Sequence, residues 1–171
     1  RSYLAGAGTQ TAGLGFGGYD GNDNTNATEH YDGSAWTSGG NMGTARYYLA
    51  GAGTQTAGLA FGGETTSNGT EHYDGSAWTA GGNMGTGRYG LTGAGTQTAG
   101  LAFGGGGIML SPTNATEHYD GSAWTAGGNM GTSRYGLGGA GTQTSGLAFG
   151  GRGSSATNAT EHYDGSAWTS G

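Results

Sequence analysis

The sequence predicts an all-β protein assembled from four copies of one small unit, and three observations lead to this. The ten-residue stretch TEHYDGSAWT occurs four times, beginning at Thr28, Thr70, Thr116 and Thr160. Glycine contributes 44 of the 171 residues, and no apolar period of 3.6 is visible, which disfavours helix throughout. Each period instead holds short stretches of alternating side-chain size separated by turn residues, a pattern typical of strands in a repeat architecture.

Each period contains four strand candidates, and the second period illustrates them. We predict these strands at residues 47–53, 56–62, 69–74 and 76–80. The first two join at Thr54-Gln55 and form a hairpin. Each unit is therefore predicted to be a four-stranded antiparallel sheet.

The last two strands of a period join through Asp-Gly-Ser, where two registers compete. Asp-Gly would form a type I′ loop and Gly-Ser a type II′ loop. We favour Gly75-Ser76 as the loop, because it places Tyr73 directly opposite Trp78 on one face of the sheet.

Side-chain alternation explains why the unit is repeated. In the second strand, Leu59 and Phe61 point to one side, and Gly58 and Ala60 point to the other. We therefore expect one bulky face carrying Leu, Phe, Tyr and Trp, and one nearly bare face of Gly and Ala. A single unit cannot bury its bulky face, whereas units in series stack the aromatic rings of one sheet on the glycines of the next.

The repeats have a constant frame and one variable segment. The frame runs from the TEHYDG stretch to the Gly-Gly that follows Phe, and the segment after Gly-Gly differs in length and composition between periods. We predict a single repeat domain spanning residues 1–171, with units at approximately 1–40, 46–82, 88–128 and 134–171. The variable segments are expected on one face of the assembly.

The order of signals within a period resembles the kelch repeat of β-propellers, and the likeness covers essentially the whole chain. In the second period these signals are Arg46, Leu59, Phe61, Gly62-Gly63, Tyr73-Asp74, Trp78 and Met84. The resemblance implies that each repeat is a four-stranded blade around a central axis, with its first strand innermost. Tyr and Trp lie closer together here than is usual in the family, which implies a tighter outer hairpin. A closed four-bladed ring, half of an eight-bladed dimer and a segment of a longer array all remain open.

Composition excludes several classes of function. The chain has no lysine, five arginines and a net charge of −6, so it has no basic stripe for nucleic acid. No apolar run approaches the roughly 20 residues that span a bilayer, so we expect no membrane insertion. Cysteine does not occur, which excludes disulfides and thiolate chemistry. The sequence begins within a repeat and without Met, from which we expect a fragment or a processed product.

Candidate metal and cofactor sites are weak. A histidine follows a glutamate in every TEHYD stretch, but neighbouring residues of a strand face opposite sides, so we expect surface histidines near the outer hairpin and no metal. The segment that starts at Asp20 resembles a calcium loop, but Tyr31 stands where the bidentate Glu is needed. GAGTQTAG lacks the GxGxxG spacing of a phosphate cradle. We expect no cofactor.

Four Asn-x-Thr sequons recur at one position of the frame. They begin at Asn26, Asn68, Asn114 and Asn158. In a chain secreted from a eukaryotic cell these sites could carry N-linked glycans, and a turn-forming asparagine at the entry to the third strand explains them at least as well.

The variable segments are the best candidates for recognition, because loops on a rigid scaffold commonly carry binding residues. The predicted binding residues are Tyr19, Asp20, Asp23, Glu64, Ile108, Met109, Leu110 and Arg152. The variable segment of the third period contains an apolar run at residues 108–110, which is costly to expose and is expected to contact a neighbour. The alternative is that these segments are drifted linkers without a ligand.

We predict a non-enzymatic structural or adhesive module, extracellular or on a virion surface, whose loops contact a glycan or a protein neighbour. The Gly/Thr/Trp-rich repeats are similar to those of phage structural and tail-fibre-type proteins. One alternative is a self-assembling fibre subunit, which would be a homo-oligomer. Another is a glycan-processing enzyme on a propeller, which would need acids that are not repeat positions.

Overall fold

A computed structural model describes residues 1–64, 67–107 and 111–171. In these ranges the chain forms sixteen strands in four sheets, which we call blades 1 to 4. Blade 1 contains β1 (Ala5–Thr9), β2 (Ala12–Phe16), β3 (Thr28–Tyr31) and β4 (Trp36–Ser38). Blade 2 contains β5 (Ala50–Thr54), β6 (Ala57–Phe61), β7 (Thr70–Tyr73) and β8 (Trp78–Ala80). Blade 3 contains β9 (Thr92–Thr96), β10 (Ala99–Phe103), β11 (Thr116–Tyr119) and β12 (Trp124–Ala126). Blade 4 contains β13 (Gly138–Thr142), β14 (Ser145–Phe149), β15 (Thr160–Tyr163) and β16 (Trp168–Ser170).

The blades form a four-bladed β-propeller. Every blade is the predicted four-stranded antiparallel sheet, and its strands pair in sequence order. The first strands β1, β5, β9 and β13 lie innermost and contact one another in that order, so the four sheets are arranged in a ring about a common axis. Within the described ranges, no helix has the length and apolar character that a membrane span requires.

The predicted hairpins are present, with small shifts of their bounds. In blade 2, Thr54 pairs with Ala57, so the inner loop is Gln55-Thr56, one residue later than expected. Tyr73 pairs with Trp78, which confirms Gly75-Ser76 as the outer loop.

The Asp74 carboxylate holds the outer loop of blade 2. It accepts hydrogen bonds of 2.8 Å from the backbone N–H groups of Ser76 and Ala77. Gly75 has a φ of 96°, a conformation that favours glycine. The same carboxylate-held loop recurs in every blade, at Asp32, Asp120 and Asp164.

The distribution of bulky side chains over the two faces differs from the prediction. Leu59 pairs with His72, and Gly58 pairs with Tyr73. Directly paired residues share a face, so Leu and Phe lie on one face with His, and Tyr and Trp lie on the other with Gly. The expectation of a single bulky face was therefore wrong. We call the two surfaces of a blade its Leu–Phe face and its Tyr–Trp face.

The core lies between blades, where the Leu–Phe face of one blade packs on the Tyr–Trp face of the next. The Phe16 ring lies 4.9 Å from the Trp78 ring, centroid to centroid, and a Cβ at Gly51 would approach Phe16 within 2.6 Å. The same packing joins blades 2 and 3, and blades 3 and 4. Rings packed on glycines, the central sequence prediction, are confirmed at these three interfaces.

A buried ion pair links each of blades 2, 3 and 4 to the segment that precedes it. In blade 2, Arg46 Nη2 lies 2.8 Å from Glu71 Oε1, and Glu71 Oε2 accepts a 2.6 Å hydrogen bond from the N–H of Gly43. Arg46 Nη1 donates to two backbone carbonyls, those of Gly62 and Gly69. The pairs Arg88–Glu117 and Arg134–Glu161 repeat this arrangement. Burial lowers the pKa of Arg46, although Glu71 opposes that shift.

The ring is interrupted between blade 4 and blade 1, a gap that we call the open seam. Phe149 on blade 4 is 44% exposed, and Trp36 on blade 1 is 55% exposed. Phe16, Phe61 and Phe103, which occupy the same position in the other blades, are 0% exposed. The contact between neighbours that buries each of these three rings is therefore missing at the seam.

Candidate functional site

The end of the propeller where the inner strands begin carries a group of tyrosines from three blades. The tyrosine cluster consists of Tyr3, Tyr19, Tyr47, Tyr48 and Tyr89. The rings of Tyr3 and Tyr48 stack at 4.1 Å between centroids, with 29° between their planes. Tyr47 lies 5.1 Å from Tyr48 and 5.8 Å from Tyr19, and Tyr89 lies 6.3 Å from Tyr48. Tyr3 and Tyr48 are exposed, so the cluster presents aromatic surface to solvent.

Two of these tyrosines occupy a backbone conformation that favours glycine. Tyr3 has a φ of 56° and Tyr48 a φ of 55°. The equivalent residues in blades 3 and 4 are Gly90 and Gly136, with φ values of 59° and 60°. Left-handed conformation costs about 1–2 kcal/mol for a residue with a side chain. A strained conformation at a position where other blades have glycine marks Tyr3 and Tyr48 as candidate functional residues.

A chain of backbone hydrogen bonds holds this conformation in place. The N–H of Tyr48 donates to the Tyr3 carbonyl at 3.0 Å, and the N–H of Gly90 donates to the Tyr48 carbonyl at 2.8 Å. The N–H of Gly136 continues the series by donating to the Gly90 carbonyl at 2.7 Å. The tyrosine rings are thus attached to a backbone that is fixed by neighbouring blades.

The Glu64 carboxylate lies against the tyrosine cluster. Tyr47 Oη donates to Glu64 Oε1 at 2.6 Å, and Asn24 Nδ2 donates to Glu64 Oε2 at 3.0 Å. The hydrogen bond to Glu64 raises the pKa of Tyr47. The pKa of Tyr48 rises to about 12, chiefly through its hydrogen bond with Tyr3 and then through burial. Both phenols are therefore neutral near pH 7.

A cleft of about 320 Å³ lies within the cluster, lined by Tyr47, Tyr48, Glu64 and Tyr89. Its walls are aromatic rings, phenol hydroxyls and one carboxylate. Small-ligand sites commonly combine apolar or aromatic walls with a few placed polar groups. The cleft suits a small neutral molecule that has both an apolar face and hydroxyl groups.

The predicted binding residues divide into three groups. Tyr19 lies in the tyrosine cluster, and Glu64 lies against it. Asp20 and Asp23 lie in the adjoining loop of blade 1 and hold that loop together, because Asp20 Oδ1 accepts the N–H groups of Asn22 and Asp23 at 2.8 and 3.0 Å. These hydrogen bonds, the one from Asp23 first, lower the pKa of Asp20. Whether any of these residues binds a ligand stays a prediction.

The other predicted residues are not brought to the cluster by any described contact. Arg152 lies in the variable loop of blade 4, where its backbone exchanges two hydrogen bonds with Tyr135, and it is exposed. Ile108, Met109 and Leu110 lie outside the described residues.

Sequence reasoning missed four members of the cluster, Tyr3, Tyr47, Tyr48 and Tyr89. They lie in the two positions between the repeated Arg and Leu that precede each inner strand. These positions read Ser-Tyr, Tyr-Tyr, Tyr-Gly and Tyr-Gly in blades 1 to 4. That variation is visible in the sequence and could have identified them.

The repeated histidines connect blades, and the expectation of surface histidines was wrong for three of them. The Nε2 atoms of His30, His72 and His118 lie 2.7 Å from the tyrosine hydroxyl of the next blade. Burial lowers the pKa of His72 and of His118. In the described part of the chain, no three His, Asp or Glu side chains are grouped closely enough to hold a metal ion.

The first three sequon asparagines take part in the fold. The side-chain amides of Asn26, Asn68 and Asn114 donate to the backbone carbonyls of Met42, Met84 and Met130. These bonds tie the start of each third strand to the segment that follows the blade.

No protein-family model matches the chain, and no curated protein is significantly similar to it. The geometry of the tyrosine cluster is therefore the basis for a functional proposal.

Proposed function

We propose that this chain is a non-enzymatic adhesive module, extracellular or on a virion surface, that binds neutral carbohydrate through the tyrosine cluster. The observation that carries the proposal is the retention of Tyr3 and Tyr48 in left-handed conformation, stacked on each other and exposed, where blades 3 and 4 have glycine. Neither ring belongs to the buried Phe–Trp core between the blades, and the two rings instead present stacked aromatic surface to solvent.

The chemistry of the cluster fits a sugar. The face of a tyrosine ring packs against the C–H groups of a pyranose, and phenol hydroxyls and a carboxylate bind its hydroxyl groups. Tyrosine supplies a large contact area at low cost in side-chain entropy, and here the backbone is already fixed.

Charge narrows the class of ligand. The chain has a net charge of −6, and Glu64 lies in the cleft, so an acidic sugar or a phosphorylated glycan would be repelled. The expected ligands are neutral hexoses or N-acetylhexosamines.

A binding role is favoured over hydrolysis by the single carboxylate that lines the described cleft. Glycoside hydrolases canonically place two carboxyl groups about 5–9.5 Å apart across the scissile bond. The nearby Asp20 carboxylate accepts two backbone hydrogen bonds in its own loop. The likeness of the repeats to kelch repeats and to phage structural and tail-fibre-type proteins is part of the same proposal.

A glycan array probed with the whole chain, followed by calorimetry with the strongest neutral ligand, tests the proposal. The Tyr3→Gly, Tyr48→Gly double variant has at these two positions the glycine that blades 3 and 4 have, so it should fold normally. We expect binding at least tenfold weaker, about 1.4 kcal/mol. Tyr31→Phe, at the outer hairpin of blade 1, should bind as the unmodified protein does. An array without neutral ligands, unchanged binding by the double variant, or release of sugar from the ligand would contradict the proposal.

A further inference from the structure

The open seam exposes two halves of an interface that the chain forms three times elsewhere. Blade 4 presents its Leu–Phe face, with Phe149 uncovered, and blade 1 presents its Tyr–Trp face, with Trp36 uncovered. Leu4 of blade 1 is also exposed, whereas the equivalent Leu49, Leu91 and Leu137 are buried. Contiguous exposed aromatic and aliphatic surface of this kind is typical of protein interaction sites.

Each internal interface also contains a fixed set of hydrogen bonds. Between blades 1 and 2, Gln55 Nε2 donates to the carbonyls of Gly13 and Tyr31, at 3.0 and 2.8 Å. Trp78 Nε1 donates to Thr28 Oγ1 at 2.9 Å. The same bonds recur between blades 2 and 3 and between blades 3 and 4.

At the seam, the donors lie on one face and the matching acceptors on the other. Blade 1 carries the side chains of Gln10 and Trp36, and neither makes its interblade hydrogen bond to any residue of the described chain. Blade 4 carries the matching acceptors, which are Thr160 Oγ1 and the carbonyls of Gly146 and Tyr163. Within the described chain, none of the three accepts a hydrogen bond from the Gln or Trp side chain of a following blade. The interblade hydrogen bond between histidine and tyrosine is likewise not formed between His162 of blade 4 and Tyr31 of blade 1.

We propose that the open seam binds a second copy of this chain, with the Leu–Phe face of blade 4 in one copy packed on the Tyr–Trp face of blade 1 in the other. The internal interfaces carry this inference, because the same residues in the same register already bind each other three times. Phe149 of one copy would pack on Trp36 of the other and over Gly6, as Phe16 packs on Trp78 and over Gly51. Glycine at these receiving positions leaves the space that the ring requires.

The contact is head-to-tail, since the two faces differ. A head-to-tail contact closes into a ring when the rotation between copies allows it, and otherwise extends into a filament. The inference does not rest on the carbohydrate proposal, because it is argued from the packing and hydrogen bonds of the internal interfaces alone.

Sedimentation velocity of the whole chain, from about 1 μM to about 100 μM, measures the association. We expect a concentration-dependent shift from one copy to two or more. Trp36→Glu and Phe149→Glu each place a charge on one exposed face, and each variant alone should remain monomeric. Circular dichroism and thermal unfolding at low concentration establish that both variants are folded.

A mixture of the two variants gives the sharpest result. The Trp36→Glu copy keeps an intact blade 4 face, and the Phe149→Glu copy keeps an intact blade 1 face, so the mixture should form a one-to-one complex and nothing larger. A monomer at every concentration would overturn the proposal. It would mean that the two faces do not bind a second copy, for example because they close on each other within one chain or are covered by further repeats. Association that persists in both single variants would overturn it as well.

Discussion

The three internal interfaces and the open seam contain the same residues in different surroundings. Phe61 and Phe149 both end the second strand of a blade, but only Phe61 has a neighbouring blade to receive it. A tryptophan and a glycine on the next sheet bury one ring, and solvent surrounds the other. In this protein, the environment of a repeat position depends on whether a further blade adjoins it.

The ion pairs show the same contrast. The carboxylates of Glu71, Glu117 and Glu161 are buried beside their arginines, and each accepts an N–H from the segment that leads in from the preceding blade. Glu29 pairs with Arg1, but its side chain is 44% exposed.

Truncation of the repeated phenylalanine should give the largest difference between the two regions. Phe61→Ala removes a fully buried ring from its place against Trp124 and should lower the free energy of unfolding by about 3–5 kcal/mol. Phe149→Ala removes a ring that is nearly half exposed and should cost under about 1 kcal/mol. Urea unfolding at low micromolar concentration, where association is weakest, measures both.

Phe16→Ala and Phe103→Ala serve as controls for position along the chain. Both rings are fully buried at internal interfaces, so both variants should lose as much stability as Phe61→Ala. Equal losses in Phe149→Ala and Phe61→Ala would mean that the seam is closed in solution within one chain.

Removal of one partner of the arginine pairs should give the next largest difference. Arg88→Ala leaves Glu117 buried without its cation and removes the guanidinium donor from the carbonyls of Gly104 and Ala115, which should cost about 3 kcal/mol. Arg1→Ala breaks a pair whose carboxylate is partly solvated, and we expect about 0–1 kcal/mol. Thermal unfolding of the two variants beside the unmodified chain provides the comparison, and a loss in Arg1→Ala as large as that in Arg88→Ala would contradict it.

The hairpins, the Tyr73–Trp78 register and the packing of rings on glycine were predictable from the sequence, since each depends on short-range spacing. The position of Tyr and Trp on the same face as glycine was not predictable in this way. It depends on the pairing of β6 with β7, and the segment that joins these strands varies in length between repeats. A turn of fixed length would specify that register, whereas a variable loop leaves it to tertiary packing.

The candidate site was predictable only in part for a similar reason. Tyr19 and Glu64 lie in the variable loops, where recognition was expected. Tyr3 and Tyr48 come from the frame, and their significance depends on a positive φ that glycine tolerates and that the sequence does not display.

The interblade histidines should give the smallest effect, through pH. The pKa of His72 and of His118 lies below the ordinary value of 6.5, because burial against the next blade disfavours the imidazolium. Between that lowered pKa and 6.5 the unfolded chain binds more protons than the folded chain. Above pH 6.5 both histidines are neutral in the folded and the unfolded chain, and their burial does not oppose folding. As the pH falls from 6.5 toward the lowered pKa of the folded chain, the free energy of unfolding decreases.

Two measurements test this dependence. NMR titration should show His72 and His118 protonating below pH 6.5, and the urea midpoint should be lower at about pH 5.5 than at about pH 7.5. The pKa values of Asp74 and Asp120 are lowered from 3.8 by hydrogen bonds within their loops, so these carboxylates titrate below the window. The His72→Gln, His118→Gln variant should lose most of the difference in midpoint. An unchanged difference in that variant would place its origin outside the interfaces that join blades 2, 3 and 4.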